Sequence, residues 1–219
     1  MPDVPSQPVP SSSATPPPLD PLGALARMDA GNARFAAGEL LHPRHDVDHR
    51  AALTQGQRPY AAVLGCADSR VPHEILFDEG LGDFFSVRVA GNSARDPLVI
   101  GSLEFAVIEL GVSAVVVLGH EDCGAVRTAI EVARFGTKLP GALASVVEPV
   151  LPVVEQVLRT IPHGTSDAGL LEACVRANVT HTVERLSHVE ILANAVNAGR
   201  LAVAGREYRL ASGEAIPVY

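Results

Sequence analysis

Three residues carry the types and spacings of a metal site. Cys66 follows the run Val63-Leu64-Gly65, and His120 follows Val117-Leu118-Gly119. Cys123 comes three residues after His120, which gives His-x-x-Cys. One imidazole and two thiolates form a soft N/S set suited to zinc. Three protein ligands leave the fourth tetrahedral position open, the arrangement of a catalytic rather than a structural site. Asp68 and Arg70 are two residues apart, so in extended backbone they would point the same way and form a carboxylate–guanidinium pair beside the metal. Zinc held by two thiolates and a neutral imidazole is formally neutral and acidifies its water less than an all-histidine site. Asp68 would help by accepting a hydrogen bond from that water. Arg70 would keep the carboxylate from taking the open position itself.

Blander readings exist for each residue. A single buried cysteine or strand-end histidine needs no metal, and an Asp–Arg pair on a surface is common and weak. The repeated Val-Leu-Gly approach and the short His-x-x-Cys spacing favour the site. Cys174, among Leu170, Leu171 and Val175, reads as a core residue. His42, His45 and His49 match no regular metal spacing and read as part of a solvated loop and short helix.

Elements must deliver these residues to one place. Tyr60–Gly65, Phe84–Ala90 and Ser113–Gly119 are apolar runs, as strands buried on both faces of a parallel sheet require. Between the last two, Leu98–Leu110 has helical spacing and stops at Gly111. The β-α-β alternation implies right-handed crossovers and a parallel sheet. Cys66 and His120 would then emerge at one carboxyl rim, where open α/β sheets place ligands. Cys123 would open a helix over 124–135, whose dipole helps keep its sulfur ionised. Asp20-Pro21 reads as the start of a helix that ends at Gly38. Residues 142–160 read as helical with breaks at Pro149 and Pro152. Residues 168–198 read as one long helix closed by Gly199. Leu201–Ala204 is expected as a fourth strand. Glu207–Leu210 and Ala215–Val218, turned at Ser212-Gly213, are expected as a terminal edge.

Composition sets the frame. Apolar residues are 47% and charged residues 19% of 219, a globular balance. The formal charge of −8 lacks the basic footprint of a nucleic-acid or anionic-membrane binder. No apolar run approaches the roughly 20 residues of a membrane span. Three cysteines argue against a disulfide framework and for a reducing, cytoplasmic setting. Eight of the first 21 residues are proline, so residues 1–19 are expected to be a disordered tail ahead of a single domain, 20–219.

The two motifs together, Cys66-Ala67-Asp68-Ser69-Arg70 and Gly119-His120-Glu121-Asp122-Cys123-Gly124, closely resemble those of the β-class carbonic anhydrases. The resemblance runs through Asn32-Ala33-Arg34-Phe35, Gly80-Leu81-Gly82-Asp83-Phe84-Phe85, Val87-Arg88-Val89-Ala90-Gly91-Asn92 and Gly205-Arg206-Glu207-Tyr208, roughly residues 22–212. It implies a mostly parallel sheet flanked by helices, with a C-terminal edge strand and a homodimer or dimer of dimers. The implied zinc ligands are Cys66, His120 and Cys123, with Asp68 and Arg70 as the family's dyad. Gln57, Phe85 and Gly124 are implied around the substrate, with aromatic groups supplied across the dimer. Phe105 stands where many members have tyrosine, so a hydroxyl is missing there. Val63 stands where one subgroup has the tryptophan of a non-catalytic bicarbonate pocket, so that regulation is expected to be absent.

The reaction implied is reversible hydration of carbon dioxide to bicarbonate by hydroxide generated at zinc. Release of Asp68 from Arg70 would close the site by aspartate ligation, a pH-dependent gate visible as low activity near pH 7. The same hydroxide would suit hydrolysis of carbonyl sulfide or carbon disulfide. A zinc module without turnover would lack Asp68 or Arg70, and both are present. A thiol enzyme with Cys66 as nucleophile is the remaining rival, and bound zinc would argue against it.

Overall fold

The apolar runs become the middle of one sheet. The computed structural model describes residues 19–218, so the expected tail lies, but for Leu19, outside the described residues. The strands are β1 (Ala61–Gly65), β2 (Phe84–Arg88), β3 (Ala114–His120), β4 (Ala202–Tyr208) and β5 (Ala215–Val218). They lie in the order β2-β1-β3-β4-β5. The first four run parallel, and β5 closes the edge antiparallel to β4. Every residue of β1 and β3 is buried, which is why both read as continuous apolar runs.

Alternate side chains feed two cores. Ala62, Leu64, Val115 and Val117 face one layer, α4 (Pro97–Ile108), α8 (Asp167–Ser187) and α9 (Glu190–Asn197). Ala61, Val63, Val116 and Leu118 face the other, α1 (Pro21–Ala37) and the single turn α3 (His73–Leu76). Val63 is fully buried there against the α1 side. A third cluster gathers at the carboxyl rim, where α5 (Gly124–Phe135), α6 (Leu143–Val147) and α7 (Leu151–Thr160) pack around Cys66 and Cys123.

Helix α1 starts and stops where its sequence says. Asp20 Oδ1 accepts from the Gly23 N–H at 2.6 Å, Pro21 is the first helical residue, and Gly38 ends the helix at φ 74°. Gly31 is required by close approach: a Cβ there would lie 1.9 Å from the Phe77 carbonyl oxygen. Asn32 then ties the helix to the sheet edge. Its Nδ2 donates to the Leu76 and Gly213 carbonyls, and its Oδ1 accepts from the Ala215 N–H at 2.7 Å. Leu19 is also tied down, its carbonyl accepting from Ser113 Oγ.

The histidine tract becomes a loop and a short helix, α2 (Val47–Ala52), capped by Asp46 and followed by a 3-10 turn at Leu53–Gln55. His45 and His49 reach the Glu79 and Leu81 carbonyls rather than one another.

Three expectations need correction. The helix expected over 168–198 is two helices, broken at His188–Val189. Leu186 and Leu192 are both fully buried, yet six residues apart they would sit on different faces of one straight helix. The break turns both toward the core. The expected separation of Leu201–Ala204 from Glu207–Leu210 is absent: β4 runs unbroken to Tyr208, because β3 extends to His120 and pairs with it all the way. Of the two prolines expected to break 142–160, Pro149 falls in the gap between α6 and α7. Pro152 lies in the first turn of α7, where its missing N–H costs nothing.

Candidate metal centre

The register of β1 and β3 decides the site. Gly65 pairs with Leu118, so the two Val-Leu-Gly runs are neighbours offset by one residue. Cys66 leaves β1 just past its last residue, and His120 is the last residue of β3. The chain then turns through Asp122, at φ 55°, and Cys123 caps α5. The Cys66 Sγ, His120 nitrogen and Cys123 Sγ all lie within 4.8 Å of one another, and all three residues are buried. A tetrahedral zinc with bonds of ~2.0–2.3 Å sets its ligand atoms roughly 3.3–3.8 Å apart, so a small closure suffices. Among the described residues, no other group of His, Cys, Asp and Glu is arranged to hold a metal.

The protonation pattern fits a cation. His120 Nδ1 lies 2.7 Å from the Glu121 carbonyl, an acceptor only, so Nδ1 carries the proton. Nε2 is left as a lone pair, buried and without a hydrogen-bond partner among the described residues. An orphaned buried acceptor between two thiols is the vacancy a soft dication fills. The two thiols share one proton. The Cys123 hydrogen bond, with help from His120 and the Gly91 and Asp68 N–H groups, holds the Cys66 thiol well below its ordinary value. The hydrogen bond to Cys66 and burial push Cys123 up, against N–H bonds from Ala125 and Val126. A bound dication would release that last proton and leave two thiolates.

Asp68 and Arg70 pair, though not in the way extended backbone suggests. Residues 69 and 70 form a turn, in which the Val71 N–H reaches the Asp68 carbonyl. Asp68 Oδ1 accepts from both the Arg70 N–H and Nε at 2.9 Å, and Oδ2 accepts from Nη2 at 2.8 Å. Oδ1 is therefore fully engaged. Oδ2 keeps a free lone pair and lies 3.9 Å from His120 Nε2, on the side of the ligands. The Arg70 guanidinium holds the Asp68 carboxyl well below the usual carboxylate range, so it stays ionised throughout the neutral range.

The other expected site residues are placed differently. Gly124 is exposed at the first position of α5, beside Cys123. Phe85 lies in the amino half of β2, its ring 6.0 Å from that of Phe105. Gln57 is exposed ahead of β1, at the opposite rim from Cys66. The five strand residues between the rims span roughly 16 Å. Within one chain, Gln57 is therefore not brought to the cluster. Cys174 is a core residue: burial alone raises its thiol to about 11.

Arg88 escaped the sequence reading. Its Nε donates to the Cys66 carbonyl at 3.1 Å and its Nη2 to the Asp68 carbonyl at 2.6 Å, so one fork holds both ends of the ligand loop. Its only sequence signal was an arginine closing an apolar strand.

Comparison with known proteins agrees with this geometry. A family model described as carbonic anhydrase matches residues 61–215. The chain is 43% identical over 195 residues to a carbonic anhydrase of Mycolicibacterium smegmatis, covering 89% of this chain and 91% of that one. It is 42% identical over 201 residues to carbonic anhydrase 2 of Mycobacterium tuberculosis, covering 91% and 94%. Among solved structures, the β-carbonic anhydrase CafA of Aspergillus fumigatus superposes with a TM-score of 0.71 at 28% identity, covering 89% of this chain and 88% of that one. A mostly parallel sheet with His and two Cys at its carboxyl rim, and these relatives over nearly the whole chain, lead to one assignment: the chain belongs to the β-class carbonic anhydrases, a family of carbonate dehydratases.

Proposed function

We propose that the chain catalyses the reversible hydration of carbon dioxide with zinc held by Cys66, His120 and Cys123. The observation that carries this is the buried Cys-His-Cys triplet whose His120 Nε2 lacks any other partner among the described residues. Zinc, when bound, supplies the Lewis acidity that makes water nucleophilic near neutral pH. Asp68 Oδ2 accepts the hydrogen bond of the attacking oxygen and so turns its lone pair toward carbon. Arg70 holds Asp68 back from the ligands. The new C–O bond turns carbon dioxide into bicarbonate, which leaves in exchange for water.

Support for a homodimer comes from α4. Its sequence, Pro97-Leu98-Val99-Ile100-Gly101-Ser102-Leu103-Glu104-Phe105-Ala106-Val107-Ile108, is apolar nearly all round, yet Leu98 is 80% and Ile108 58% exposed in the single chain. Such a helix belongs inside an interface. In the proposed dimer, Gln57 and Phe85 serve the second copy's site, which explains their distance from their own. All three cysteines are free, which supports a cytoplasmic protein. No helix among the described residues is long and apolar enough to cross a membrane.

Stopped-flow hydration of carbon dioxide near pH 8.5, on protein of known zinc content, tests the reading. Turnover at one zinc per chain is expected. Full occupancy without turnover would sink it and turn attention to carbonyl sulfide or carbon disulfide. The Arg70→Ala variant is expected to keep zinc but lose about 10- to 100-fold in kcat, as loss of an outer partner typically does, because freed Asp68 competes for the open position. Because Asp68 stays ionised, its own protonation closes nothing at neutral pH, and native activity is expected to persist at pH 7. Reversible loss there would mean that some other change releases the carboxylate.

A further inference from the structure

Helix α8 is nearly continuous with the core, yet it carries one buried amide. Asn178 is 1% exposed, between Cys174 and Val175 on one turn and Val179 and Thr182 on the next. The valines are there for packing: a Cβ at Gly119 would meet Val179 at 2.5 Å, and one at Gly205 would meet it at 2.7 Å. An amide in that position must find a partner or lose stability. Its Nδ2 donates to the Gly91 carbonyl at 2.9 Å, across 87 residues of chain.

Gly91 lies in the turn after β2, closed by the Asn92 N–H on the Val89 carbonyl, with Gly91 at φ 78° and Asn92 at φ 41°. A Cβ on Gly91 would touch Ala125 of α5 at 3.2 Å and Val150 at 3.3 Å, so the turn is also pressed against the helix that Cys123 caps. The Gly91 N–H donates to the Cys66 sulfur. Asn178 thus holds the carbonyl of the same residue whose N–H points at a ligand.

Resting on the zinc reading above, we propose that Asn178 is a positioning residue for the metal site: by fixing Gly91 it keeps an N–H on the Cys66 thiolate and steers that sulfur's remaining lone pair toward the cation. Hydrogen bonds to a ligand sulfur drain its charge and set its direction, and outer partners of this kind are worth about 10- to 100-fold in metal affinity. A merely structural Asn178 would hold the turn without altering the Cys66–metal bond.

The test uses the full chain loaded with cadmium-113, cobalt(II) or zinc. In the native protein, scalar coupling between cadmium and the Gly91 amide proton is expected, transmitted through the N–H···S bond. Asn178→Leu keeps the volume and removes the donor. It is expected to weaken or abolish that coupling, to shift the thiolate-to-cobalt charge-transfer band, and to lower zinc affinity in chelator competition by about 10- to 100-fold. Thr182→Val, one turn along the same buried face, controls for packing and is expected to leave all three readouts native. Absence of the Gly91 coupling in the native protein overturns the proposal without any variant. So do native band and affinity in Asn178→Leu, or in the smaller Asn178→Ser if the leucine variant does not fold. Failure of the native chain to bind any of the three metals would instead overturn the zinc reading itself.

Discussion

Cys66→Ala is expected to lose zinc and carbon dioxide hydration together while the sheet remains intact. Three side chains hold the cation, and removal of one leaves an imidazole and a single buried thiol. The remaining thiol then lacks its partner. Cys123 is now pushed up by Cys66, and without that neighbour it returns toward an ordinary buried thiol that ionises reluctantly. Activity should fall to the uncatalysed rate, a loss of at least about a thousandfold, equal to roughly 4 kcal/mol of transition-state stabilisation. Stability should change far less. Cys66 lies past the end of β1, and deleting one sulfur from the third core cluster leaves a small gap worth about 1 kcal/mol. Zinc content, stopped-flow rate and far-ultraviolet circular dichroism separate these outcomes. A variant with one zinc per chain and a tenth of native activity would remove Cys66 from the ligand set. A variant that fails to fold would mean that the thiolate is part of the core rather than of the chemistry.

The contrast between what could be read and what could not follows contact distance along the chain. Val63-Leu64-Gly65-Cys66 and Val117-Leu118-Gly119-His120 announce two buried strands ending in ligands, because continuous apolar runs need cover on both faces. The one-residue offset between them is set by pairing, Gly65 with Leu118, which no local pattern encodes. Asp68 and Arg70 were legible as a pair from spacing alone. Their geometry was not, since the turn at 69–70 and not an extended strand brings them together. Gln57 is nine residues before Cys66, and that nearness is misleading: β1 carries the chain from one rim of the sheet to the other in between. Helix α3 is four residues long, too short for any periodicity to register. Arg88 and Asn178 reach partners 20 to 87 residues away, and only a folded chain displays such contacts. The break after Ser187 likewise depends on where Leu186 and Leu192 must go, which is a property of the core and not of the helix.

Gly65→Ala is expected to be the most damaging single methyl group near the site. The added Cβ would lie 2.1 Å from His73 Nε2 and 2.9 Å from its Cε1, far inside contact distance. The ring has little freedom to withdraw. His73 is fully buried in α3, next to the fully buried Phe77 and nearly buried Leu76. Its other nitrogen is also held. Ser86 Oγ donates its proton to Glu74 Oε1 at 2.7 Å, so it can only accept from His73 Nδ1, at 3.3 Å. Nε2 is then an unprotonated nitrogen packed on the Gly65 backbone, without a hydrogen-bond partner among the described residues. Overpacking against so fixed a ring should cost about 3 kcal/mol. For a domain of this size that lowers the thermal midpoint by roughly 6–12 °C. Activity should drop further than stability, because Gly65 precedes Cys66, and a displacement of about 1 Å in a reacting geometry costs on the order of 100-fold. Pairing the change with His73→Ala should recover much of the lost stability, since the two residues collide with each other and with little else. Burial holds the His73 pKa down at about 4, below its unfolded value near 6.5. The unfolded chain therefore binds the extra proton first, and native stability falls as pH drops from about 6.5 toward 4. His73→Ala should flatten that part of the stability curve in urea titrations. An unchanged slope in the variant, or no rescue of Gly65→Ala by it, would show that the imidazole is not the group against which Gly65 is packed.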